Sequence, residues 1–364
     1  MSSFGNLFKI NTFGESHSKS VGVIIDSPLP NIQLDIEKIQ KQLNRRRPGQ
    51  SHITTPRNEN DNIIVLSGIE NNITLGTPLT IIVNNLDTRP EDYKFSNETY
   101  IPRPSHADFP YLFKYGIHAS SGGGRSSARE TISRVIGGAV AEQFLQLQNI
   151  EIIAYVSQIG NIKLDFVDKN INRDYIDSFI TRCPNKDISN KMEKYISDLK
   201  KKGDSVGGII SCIIKNCPKG LGEPVFDKLE ALLAHAMLSI PATKGFEIGS
   251  GFNCVTQLGS IHNDPWSVHT NEINNDTQIK TKTNNNGGII GGISNGMDIT
   301  FNVAFKPPAT ILQPQTTINL NNEVVTLEAK GRHDPCVVPR AVPIVESMAA
   351  LVVINMLLHQ KIRT

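Results

Sequence analysis

The stretch of residues 342–358 is almost entirely apolar, and it restricts the possible folds of this chain more than any other feature. A helix that is apolar on most of its faces has to be covered, either by protein or by lipid. The stretch also falls short of the roughly 20 clean apolar residues that a membrane span needs. The residues that interrupt it are Pro343, Glu346, Ser347 and Asn355. We therefore predict a helix that is buried in the core or at a subunit interface, and no membrane as a partner.

Short strand-like and helix-like stretches alternate along the rest of the chain. The strand candidates are β-branched and bounded by turn residues, and they cover residues 22–26, 63–66, 80–83, 152–156 and 209–214. Helical periodicity is found at residues 35–46, from Ser127 onward, and at residues 226–238. Polar residues dominate 169–202 and 271–286, which we interpret as solvated surface. Without a repeat or a long linker, the pattern predicts one α+β domain over residues 1–364.

Composition and charge narrow the class of protein. A chain of 364 residues with 38% hydrophobic residues can bury a sizeable core. Its formal net charge of +2 lacks the strongly basic character of nucleic-acid binders. The five cysteines form no C-x-x-C pair, and the first residues do not resemble a secretory signal, which is typical of reduced thiols in the cytoplasm. We therefore expect a cytoplasmic protein with a small-molecule substrate and no nucleic acid as a partner.

Three clusters of titratable residues, far apart in sequence, indicate an enzyme. They surround His17, His106 with Asp108, and Asp334 with Arg332, in turn-like settings where reactive side chains are common. Histidine suits acid or base catalysis or phosphate contact, although a single histidine can also be purely structural. Asp334, next to Arg332, could serve as an ionised base or only form a salt bridge. No spacing typical of metal ligands occurs, so we predict no metal site.

A triple glycine at residues 122–124 leads into the helix predicted at Ser127. Ser127 and Glu130 have the spacing of a capping box. Exposed N–H groups and the positive end of the helix dipole favour an anion at such a position, and phosphate is the natural guest. Arg125 and Arg129 lie in or beside this first turn, where an anion would offset their charge. The alternative is a surface helix with incidental arginines.

Two further segments are ambiguous from sequence. Arg45, Arg46 and Arg47 end the first predicted helix, where cations offset the helix dipole whether or not they bind a ligand. Residues 287–296 are rich in glycine and precede Lys306, but they lack the spacing of a dinucleotide- or nucleotide-binding loop. They either line a flat ligand or form tight bends.

Taken together, these motifs resemble those of the chorismate synthase family over nearly the whole chain. The matching segments are residues 12–17, 45–50, 103–108, 122–130, 203–208, 222–227 and 331–339. The resemblance implies an anti 1,4-elimination in which 5-enolpyruvylshikimate 3-phosphate loses phosphate and becomes chorismate, the last common step of aromatic amino acid biosynthesis. It also implies a requirement for reduced FMN although the reaction has no net redox change.

Residue roles follow from the same resemblance. His106 would assist the departure of phosphate, His17 would keep the reduced flavin in its working protonation state, and Asp334 would lie near flavin N5 and help to remove the C6 proton. The substrate-binding positions are Ser16, Arg46, Arg129, Arg134 and Arg340. The cofactor-binding positions are Arg125, Ser126, Ser127, Gly291, Lys306, Pro307, Pro308, Ala309, Thr310 and Arg332. The resemblance also makes Arg46 a position for NADP.

The resemblance further implies a fold and an assembly. The expected fold is an α+β sandwich of antiparallel β-sheets enclosed by helices, with the layer order β-α-β. The expected assembly is a homotetramer, which would give the apolar helix near the C-terminus a use. The motifs leave open whether FMN is reduced on the protein by NADPH or by an external source.

The chain departs from the family pattern at several positions. The residues that differ from the common ones are Ser18, Ser27, His52, Ser121, Pro308 and Ala309. The last two remove hydroxyl groups that could bond the flavin, so they affect the cofactor contacts more than the reaction. Two other functions remain as alternatives: a non-catalytic descendant of the fold that binds flavin or phosphate, and an NAD(P)H-dependent flavin reductase. The retained acids and bases argue against the first, and the missing dinucleotide fingerprint argues against the second.

Overall fold

The computed structural model describes residues 1–55, 59–86, 100–117, 123–168, 171–270, 277–329 and 333–363. The helices are α1 (Ile36–Arg46), α2 (Asp108–Tyr115), α3 (Thr131–Gln146), α4 (Arg173–Asp177), α5 (Lys186–Lys201), α6 (Leu229–Leu238), α7 (Gly259–His262) and α8 (Val338–Arg363). The strands are β1 (Ser3–Phe4), β2 (Ile10–Phe13), β3 (Ser20–Ile25), β4 (Ile63–Ser67), β5 (Ile69–Glu70), β6 (Ile73–Thr74), β7 (Leu79–Asn84), β8 (Glu151–Ile159), β9 (Ile162–Lys163), β10 (Gly208–Lys215), β11 (Thr243–Ile248), β12 (Trp266–Thr270), β13 (Thr277–Thr281), β14 (Ile289–Ile290), β15 (Ile293–Ser294), β16 (Ile299–Phe305), β17 (Gln315–Ile318) and β18 (Val324–Leu327).

Two five-stranded antiparallel sheets form the outer layers. The first sheet has the strand order β1-β2-β3-β7-β4, and the second has the order β11-β16-β10-β8-β9. Along β16 the buried residues alternate with half-buried ones, as expected for a strand with one covered face. The buried positions are Ile299, Phe301, Val303 and Phe305. The α+β class and the antiparallel sheets are therefore confirmed.

Helices α3 and α8 form the middle layer. Helix α3 contacts β2, β3 and β7 of the first sheet, while α8 contacts β8 and β10 of the second, and the two helices contact each other. The layer order β-α-β is confirmed, with the central helices enclosed by the sheets. A Cβ atom on Gly138 of α3 would lie 2.4 Å from the Cα atom of Ser347 on α8. Only glycine permits such a close approach of the two helices.

The apolar helix α8 is buried, as its sequence predicts. In the described part of the chain it is the one helix long and apolar enough to cross a membrane by length and composition. Its apolar stretch of 18 residues has a mean hydropathy of 2.1, and 94% of that stretch is buried inside the protein. Its polar interruptions have internal partners. The Asn355 side chain accepts hydrogen bonds from the backbone N–H groups of Asn6, Leu7 and Phe8 at 2.9, 3.0 and 3.1 Å. It thereby ties the start of the chain to α8.

The start of α3 differs from the sequence prediction. Ser127 precedes a 3-10 turn, Ala128–Glu130, and the α-helix begins only at Thr131. The Ser127 hydroxyl accepts from the N–H of Arg129 at 3.3 Å, and the carboxylate of Glu130 takes the Nε of Arg134 at 2.9 Å. The predicted capping box is therefore wrong, because Glu130 has a charged partner one helical turn further on.

The polar stretch at residues 169–202 also differs from its prediction. Instead of featureless surface, it contains α4 and α5, and α5 buries Met192 and Ile196 against the core. Asn185 caps α5, because its side chain accepts from the N–H of Ile188 at 3.1 Å. The stretch at 271–286 contains β13, which pairs with β12, whereas residues 271–276 lie outside the described residues. The apolar face of α5 is narrow and lies among many lysines, so its helical periodicity is hard to recognise in the sequence.

Candidate active site

A cavity of about 830 Å³ lies where α1, α3, α8 and the 103–108 segment approach one another. This volume falls in the range of ligand-binding pockets. Its wall contains many of the residues that the motifs indicated: Arg46, His106, Arg125, Ser126, Arg134, Lys306, Pro307, Ala309 and Arg340. These residues come from five separate stretches of sequence, and folding brings them to one place.

Arg125 reaches the first sheet from the glycine-rich turn. Its Nη1 donates to the carbonyl oxygen of Gly14 at 3.2 Å, and its Nη2 donates to the Thr12 hydroxyl at 2.6 Å and to the Ser2 hydroxyl at 3.4 Å. All of these acceptors are neutral. The guanidinium is therefore oriented by its neighbours while its charge remains available to an anion in the cavity.

The segment that carries Ser16 and His17 docks on the same turn. The backbone N–H of Ser16 donates to the carbonyl oxygen of Gly124 at 3.3 Å, and the Ser16 hydroxyl lies 2.9 Å from Nδ1 of His17. Ser126 closes the turn with a hydrogen bond from its hydroxyl to the Gly123 carbonyl at 2.6 Å. Neither Ser16 nor His17 is among the described residues that line the cavity, although Glu15 is.

Arg46, at the end of α1, is fully engaged on one side. Its Nε donates to the Thr131 hydroxyl at 3.0 Å, its Nη1 to Asp61 at 3.1 Å, and its Nη2 to the Ala128 carbonyl at 2.8 Å. Burial lowers the pKa of Arg46 to about 9, and the neighbouring Arg340 acts in the same direction. An anion in the cavity would offset both effects.

Arg340 and Asp334 form an ion pair on the opposite side of Arg46. Nη1 of Arg340 donates to the Asp334 carboxylate, and its Nε donates to the carbonyl oxygen of Arg46 at 3.2 Å. The other Asp334 oxygen accepts from the N–H of Thr55 at 2.9 Å. Among the residues described, Arg340 lines the cavity and Asp334 does not. The Asp334 carboxylate therefore lies behind Arg340 and does not belong to the cavity surface.

Arg129 points away from the cavity, unlike the other predicted arginines that the structure describes. Its Nη1 donates to Asp61 at 2.9 Å, its Nη2 pairs with Glu59, and its Nε donates to Asn85. It is 3% exposed and does not belong to the described lining of the cavity. Its direct contact with substrate stays a prediction, and its observed contacts are with carboxylates behind the wall.

Arg134 belongs to the lining and extends from α3 across to the loop that follows α6. Its Nε donates to Glu130 at 2.9 Å, its Nη1 to the Ser239 hydroxyl at 2.6 Å, and its Nη2 to the Ser239 carbonyl at 3.0 Å. These bonds fix the direction of the side chain. The guanidinium is thereby held as a rigid part of the cavity wall.

His106 is held by two groups that can only donate. Its Nδ1 lies 3.0 Å from Nη2 of Arg103 and 3.1 Å from the backbone N of Asp108. The Asp108 carboxylate is farther from this nitrogen, at 3.3 Å, and it accepts from Nε of Arg103 at 2.8 Å. Nδ1 therefore acts as an acceptor, and the ring proton is placed on Nε2. Arg103 is a site residue that was not assigned a role from sequence.

The segment from Lys306 to Thr310 supplies another part of the cavity wall. Nζ of Lys306 donates to the carbonyl oxygen of Ser105 at 2.9 Å, and burial lowers the pKa of Lys306. The Thr310 hydroxyl accepts from Nη1 of Arg103 at 3.4 Å. Pro308 and Thr310 are not in the described lining, whereas Lys306, Pro307 and Ala309 are.

The second glycine-rich run forms a hairpin. Strands β14 and β15 pair across a turn that contains Gly291 and Gly292, with φ values of 63° and 93°. Glycine is favoured there because other residues rarely adopt a positive φ. The run therefore forms a tight bend, and a contact of Gly291 with flavin stays a prediction. Arg332, the remaining predicted cofactor residue, lies outside the described residues.

The charge of the cavity wall is strongly positive. Its described cationic residues are Arg46, Arg103, Arg125, Arg134, Lys306 and Arg340. Its described acidic residues are Glu15, Asp108 and Glu130. The cations exceed the carboxylates, which makes the cavity a site for an anionic ligand. No group of three or more His, Cys, Asp or Glu side chains suited to a metal ion occurs in the part of the chain that the structure describes.

Sequence reasoning missed Asp61 and Glu59, which lie behind Arg46 and Arg129. The polar run before β4 is typical of a turn, and Asp61 does have a positive φ of 50°. Nothing in that pattern indicates burial, yet both residues are buried. The sequence signal for these two site residues is weak, because it consists only of two acidic residues close to the arginine motifs.

Comparison with known proteins agrees with the geometry. The family model described as chorismate synthase matches residues 8–358. A chorismate synthase of Prochlorococcus marinus strain NATL1A is 55% identical over 361 residues, which cover 99% of this chain and 98% of the relative. A second one, from strain MIT 9215, is 54% identical over 358 residues, which cover 98% of this chain and 96% of the relative.

A solved structure shares the fold. It is a crystal structure of chorismate synthase with a TM-score of 0.75 and 28% identity, and the match covers 98% of this chain and 93% of that chain. The resemblance that the sequence motifs indicated is therefore confirmed over almost the full length, both in sequence and in three dimensions.

Proposed function

The chain belongs to the chorismate synthase family, a family of lyases that act on a phosphate ester, and we propose that the elimination takes place in the arginine-lined cavity. The reaction converts 5-enolpyruvylshikimate 3-phosphate to chorismate and phosphate. The observation that carries the proposal is the excess of cations in a wall that also contains His106. A substrate with one phosphate and two carboxylates matches such a wall.

Substrate binding is assigned to the arginines of the wall. Arg46, Arg134 and Arg340 line the cavity, and their backs are fixed by protein contacts. Side chains held in this way lose little conformational freedom when an anion binds. Ser16 and Arg129 are the other two proposed substrate-binding residues. Ser16 belongs to the segment that docks on the glycine-rich turn, and Arg129 is bonded to Asp61 behind Arg46.

Reduced FMN is the proposed cofactor, and the residues of the cavity fit it. Arg125 has only neutral partners among its described contacts, so it can take a phosphate, and Ser126, Lys306, Pro307 and Ala309 line the same cavity. The other proposed cofactor residues are Ser127, Gly291, Pro308, Thr310 and Arg332. When bound, reduced FMN supplies electron density to the reacting substrate without being consumed.

Proton handling is assigned to His106, His17 and Asp334. His106 would assist the departing phosphate by donating a hydrogen bond from its Nε2–H, because its Nδ1 is occupied by donors. His17 would hold a proton beside the cofactor, with Ser16 bonded to its Nδ1. Asp334 would help to remove the C6 proton, and its carboxylate is held in place by its ion pair with Arg340.

We propose a homotetramer in the cytoplasm as the working form. Large apolar side chains remain exposed on the first sheet, and a second copy of the chain could cover them, as at Phe13, Ile64 and Leu66. Size-exclusion chromatography with light scattering tests the assembly directly.

NADPH is proposed as one reductant of the flavin, with Arg46 as its contact, and an external electron source is the alternative.

The test of the function is anaerobic turnover with chemically reduced FMN. We expect chorismate absorbance and phosphate release to rise together when 5-enolpyruvylshikimate 3-phosphate is added. Repeating the assay with oxidised FMN and NADPH separates intrinsic reduction from an external source. A folded protein that binds flavin and forms no chorismate under either condition would contradict the proposal.

Variants then test the assigned roles. His106→Ala should retain flavin binding and lose most turnover, and Asp334→Asn should retain substrate binding and slow the elimination. His262→Ala is the matched control, because neither His262 nor its partner Ser250 belongs to the described lining of the cavity. Unchanged turnover in His106→Ala would remove His106 from its role. Weak binding with normal elimination in Asp334→Asn would make Asp334 a residue that only orients Arg340.

A further inference from the structure

Asp61 bridges two arginines with its two carboxylate oxygens. Oδ1 accepts from Nη1 of Arg129 at 2.9 Å, and Oδ2 accepts from Nη1 of Arg46 at 3.1 Å. The Asp61 side chain is 0% exposed, and both arginine side chains are 3% exposed. A buried carboxylate held between two cations has no contact with the cavity itself, so its effect on a ligand must pass through Arg46.

We infer that Asp61 is a positioning residue, which orients the guanidinium of Arg46 so that it presents a two-pronged donor to an oxyanion in the cavity. This inference rests on the proposed function, because it assumes that Arg46 is a ligand of the substrate. It concerns a residue that contacts neither substrate nor cofactor and that acts only through another side chain.

The hydrogen-bond inventory of Arg46 supports this assignment. Each terminal nitrogen of a guanidinium carries two N–H bonds, and Nε carries one. Thr131 takes the Nε donor, Asp61 takes one donor on Nη1, and Ala128 takes one on Nη2. Within the described contacts, one N–H remains on each terminal nitrogen. One remaining N–H on each terminal nitrogen is what a guanidinium needs to bind a phosphate or carboxylate through two hydrogen bonds.

The backbone next to Asp61 is held by the same helix that carries Arg46. Gln40 of α1 donates from Nε2 to the carbonyl oxygen of Asp61 at 3.2 Å and accepts at Oε1 from the N–H of Ile63 at 3.0 Å. These two bonds hold the backbone immediately after the Asp61 side chain, on both sides of Asn62. Because Gln40 and Arg46 belong to the same helix, the distance between Asp61 and Arg46 is fixed by regular structure.

The surrounding charges explain why a carboxylate is needed at this point. Arg46 is faced by two cations, Arg129 and Arg340, and by two carboxylates, Asp61 and Asp334. Asp334 is paired with Arg340, so Asp61 is the carboxylate directly bonded to Arg46. Without its charge, the guanidinium groups of Arg46 and Arg129 would repel each other and Arg46 would turn from its present direction.

The test uses Asp61→Asn, in which the side chain keeps its size and loses its charge. Asparagine also tolerates the positive φ of 50° at this position, so the backbone need not change. We expect KM for 5-enolpyruvylshikimate 3-phosphate to rise about 10- to 100-fold, as expected when a charged hydrogen bond is lost, while kcat with saturating substrate changes by less than about threefold.

Asp177→Asn is the matched control. Asp177 also bridges two buried arginines, since it accepts from Nε of Arg45 at 2.6 Å and from Nε of Arg182 at 3.0 Å. Neither of these arginines belongs to the described lining of the cavity. We expect a lower melting temperature in this variant and a KM within about twofold of the unmodified enzyme. A similar rise of KM in both variants would overturn the inference, because it would reflect general loosening.

A double-mutant cycle identifies the residue through which Asp61 acts. If Asp61 works through Arg46, Arg46→Lys combined with Asp61→Asn should have a KM within about twofold of Arg46→Lys alone. Multiplying effects of the two substitutions would overturn the inference. The unmodified enzyme separates this outcome from the proposed function: absent turnover there rejects the function, whereas normal turnover with an unaffected Asp61→Asn rejects only the role of Asp61.

Discussion

Arg45 and Arg46 are neighbours at the end of α1, are both buried, and have opposite surroundings. Arg45 is paired with Glu346 and with Asp177, at 2.6 Å for the latter. Arg46 is bonded to Asp61 but also lies close to Arg340 and lines the cavity. Burial is the largest influence on both side chains and opposes their charge. The pKa of Arg45 is nevertheless raised, because Glu346 and Asp177 together outweigh burial, whereas burial lowers the pKa of Arg46 to about 9.

The same contrast holds for the two regions to which these arginines belong. The balanced cluster consists of Arg45, Arg173 and Arg182 with Glu142, Asp177 and Glu346. The cavity wall has more cations than carboxylates among its described residues. Equal numbers of opposite charges compensate one another, whereas an excess of one sign attracts ligands of the opposite sign. The contrast therefore predicts that the balanced cluster supports the fold and that the cavity wall supports binding.

The largest expected effect comes from Glu346→Gln, which removes the central carboxylate of the balanced cluster. Arg45 and Arg173 would remain buried with less compensation, so the free energy of unfolding should fall by about 3–5 kcal/mol. Urea denaturation followed by circular dichroism measures this value. The matched control is Glu151→Gln, whose pair with Lys215 is half exposed, and it should lose less than about 1 kcal/mol.

The same variant should also change the acid sensitivity of the protein. Although burial favours its neutral form, Arg173 and Arg45 hold the pKa of Glu346 below its ordinary value of 4.5. A carboxylate with a lowered folded pKa contributes fully above the unfolded pKa, and this contribution is lost as the pH falls through the folded value. The stability gap between the two proteins should therefore narrow below about pH 4. A gap that stays constant in acid would contradict the charge of Glu346 as the cause.

Arg125→Met should show the opposite profile, with loss of function and little loss of stability. Its guanidinium has neutral partners and is free to bind an anion, so kcat/KM should fall about 10- to 150-fold while the free energy of unfolding changes by about 1 kcal/mol. Steady-state kinetics and urea denaturation measure the two quantities. Arg363→Met is the control, since Arg363 is exposed and pairs with Glu223 at 3.1 Å. A loss in stability without a loss in kcat/KM would assign Arg125 to the fold.

Gly138→Ala tests the helix contact on which both regions depend. The added Cβ would meet the backbone of Ser347, so α3 and α8 would have to separate, at a cost of about 1–3 kcal/mol in the free energy of unfolding. Gly259→Ala is the control, because nothing lies within 4 Å of its added Cβ, and its effect should be within about 0.5 kcal/mol. Thermal unfolding compares the two variants, and equal effects would show that the close approach is unimportant.

The smallest expected effect concerns an ion pair outside both regions. Lys41 and Asp174 lie 3.5 Å apart, with side chains 69% and 88% exposed. Lys41→Ala should change the free energy of unfolding by less than about 0.5 kcal/mol, and added salt should remove even that difference. A larger, salt-independent loss would show that burial is not what distinguishes the balanced cluster from ordinary surface pairs.

Much of the fold could be predicted because the strongest patterns are local. The β-branched runs at 63–66 and 209–214 became β4 and β10 with ends shifted by one residue, and the apolar stretch at 342–358 became part of α8. Helix α5 and the 3-10 turn before α3 were missed, because their outcome depends on partners. The core covers two apolar residues of α5, and Glu130 bonds to Arg134 instead of closing the turn.

The candidate site could be predicted only in its lining. Arg46, His106, Arg125 and Arg340 stand in recognisable motifs, and the structure places all of them around one cavity. The supporting residues could not be found in the same way. Asp61 stabilises Arg129 from 68 residues away in sequence, and such a contact leaves no trace in spacing or periodicity. Sequence motifs therefore indicate the residues that line the cavity better than those that support them.

The most direct test of the contrast is the dissociation constant of 5-enolpyruvylshikimate 3-phosphate for Arg45→Lys and Arg46→Lys, measured on folded protein by isothermal titration calorimetry. Lysine keeps the charge and loses the planar fork of donors. Arg46→Lys should weaken binding about 10- to 100-fold, whereas Arg45→Lys should stay within about threefold and lose stability instead. Unchanged binding in Arg46→Lys, or an equal loss in both variants, would contradict the separation of binding from folding at these two residues.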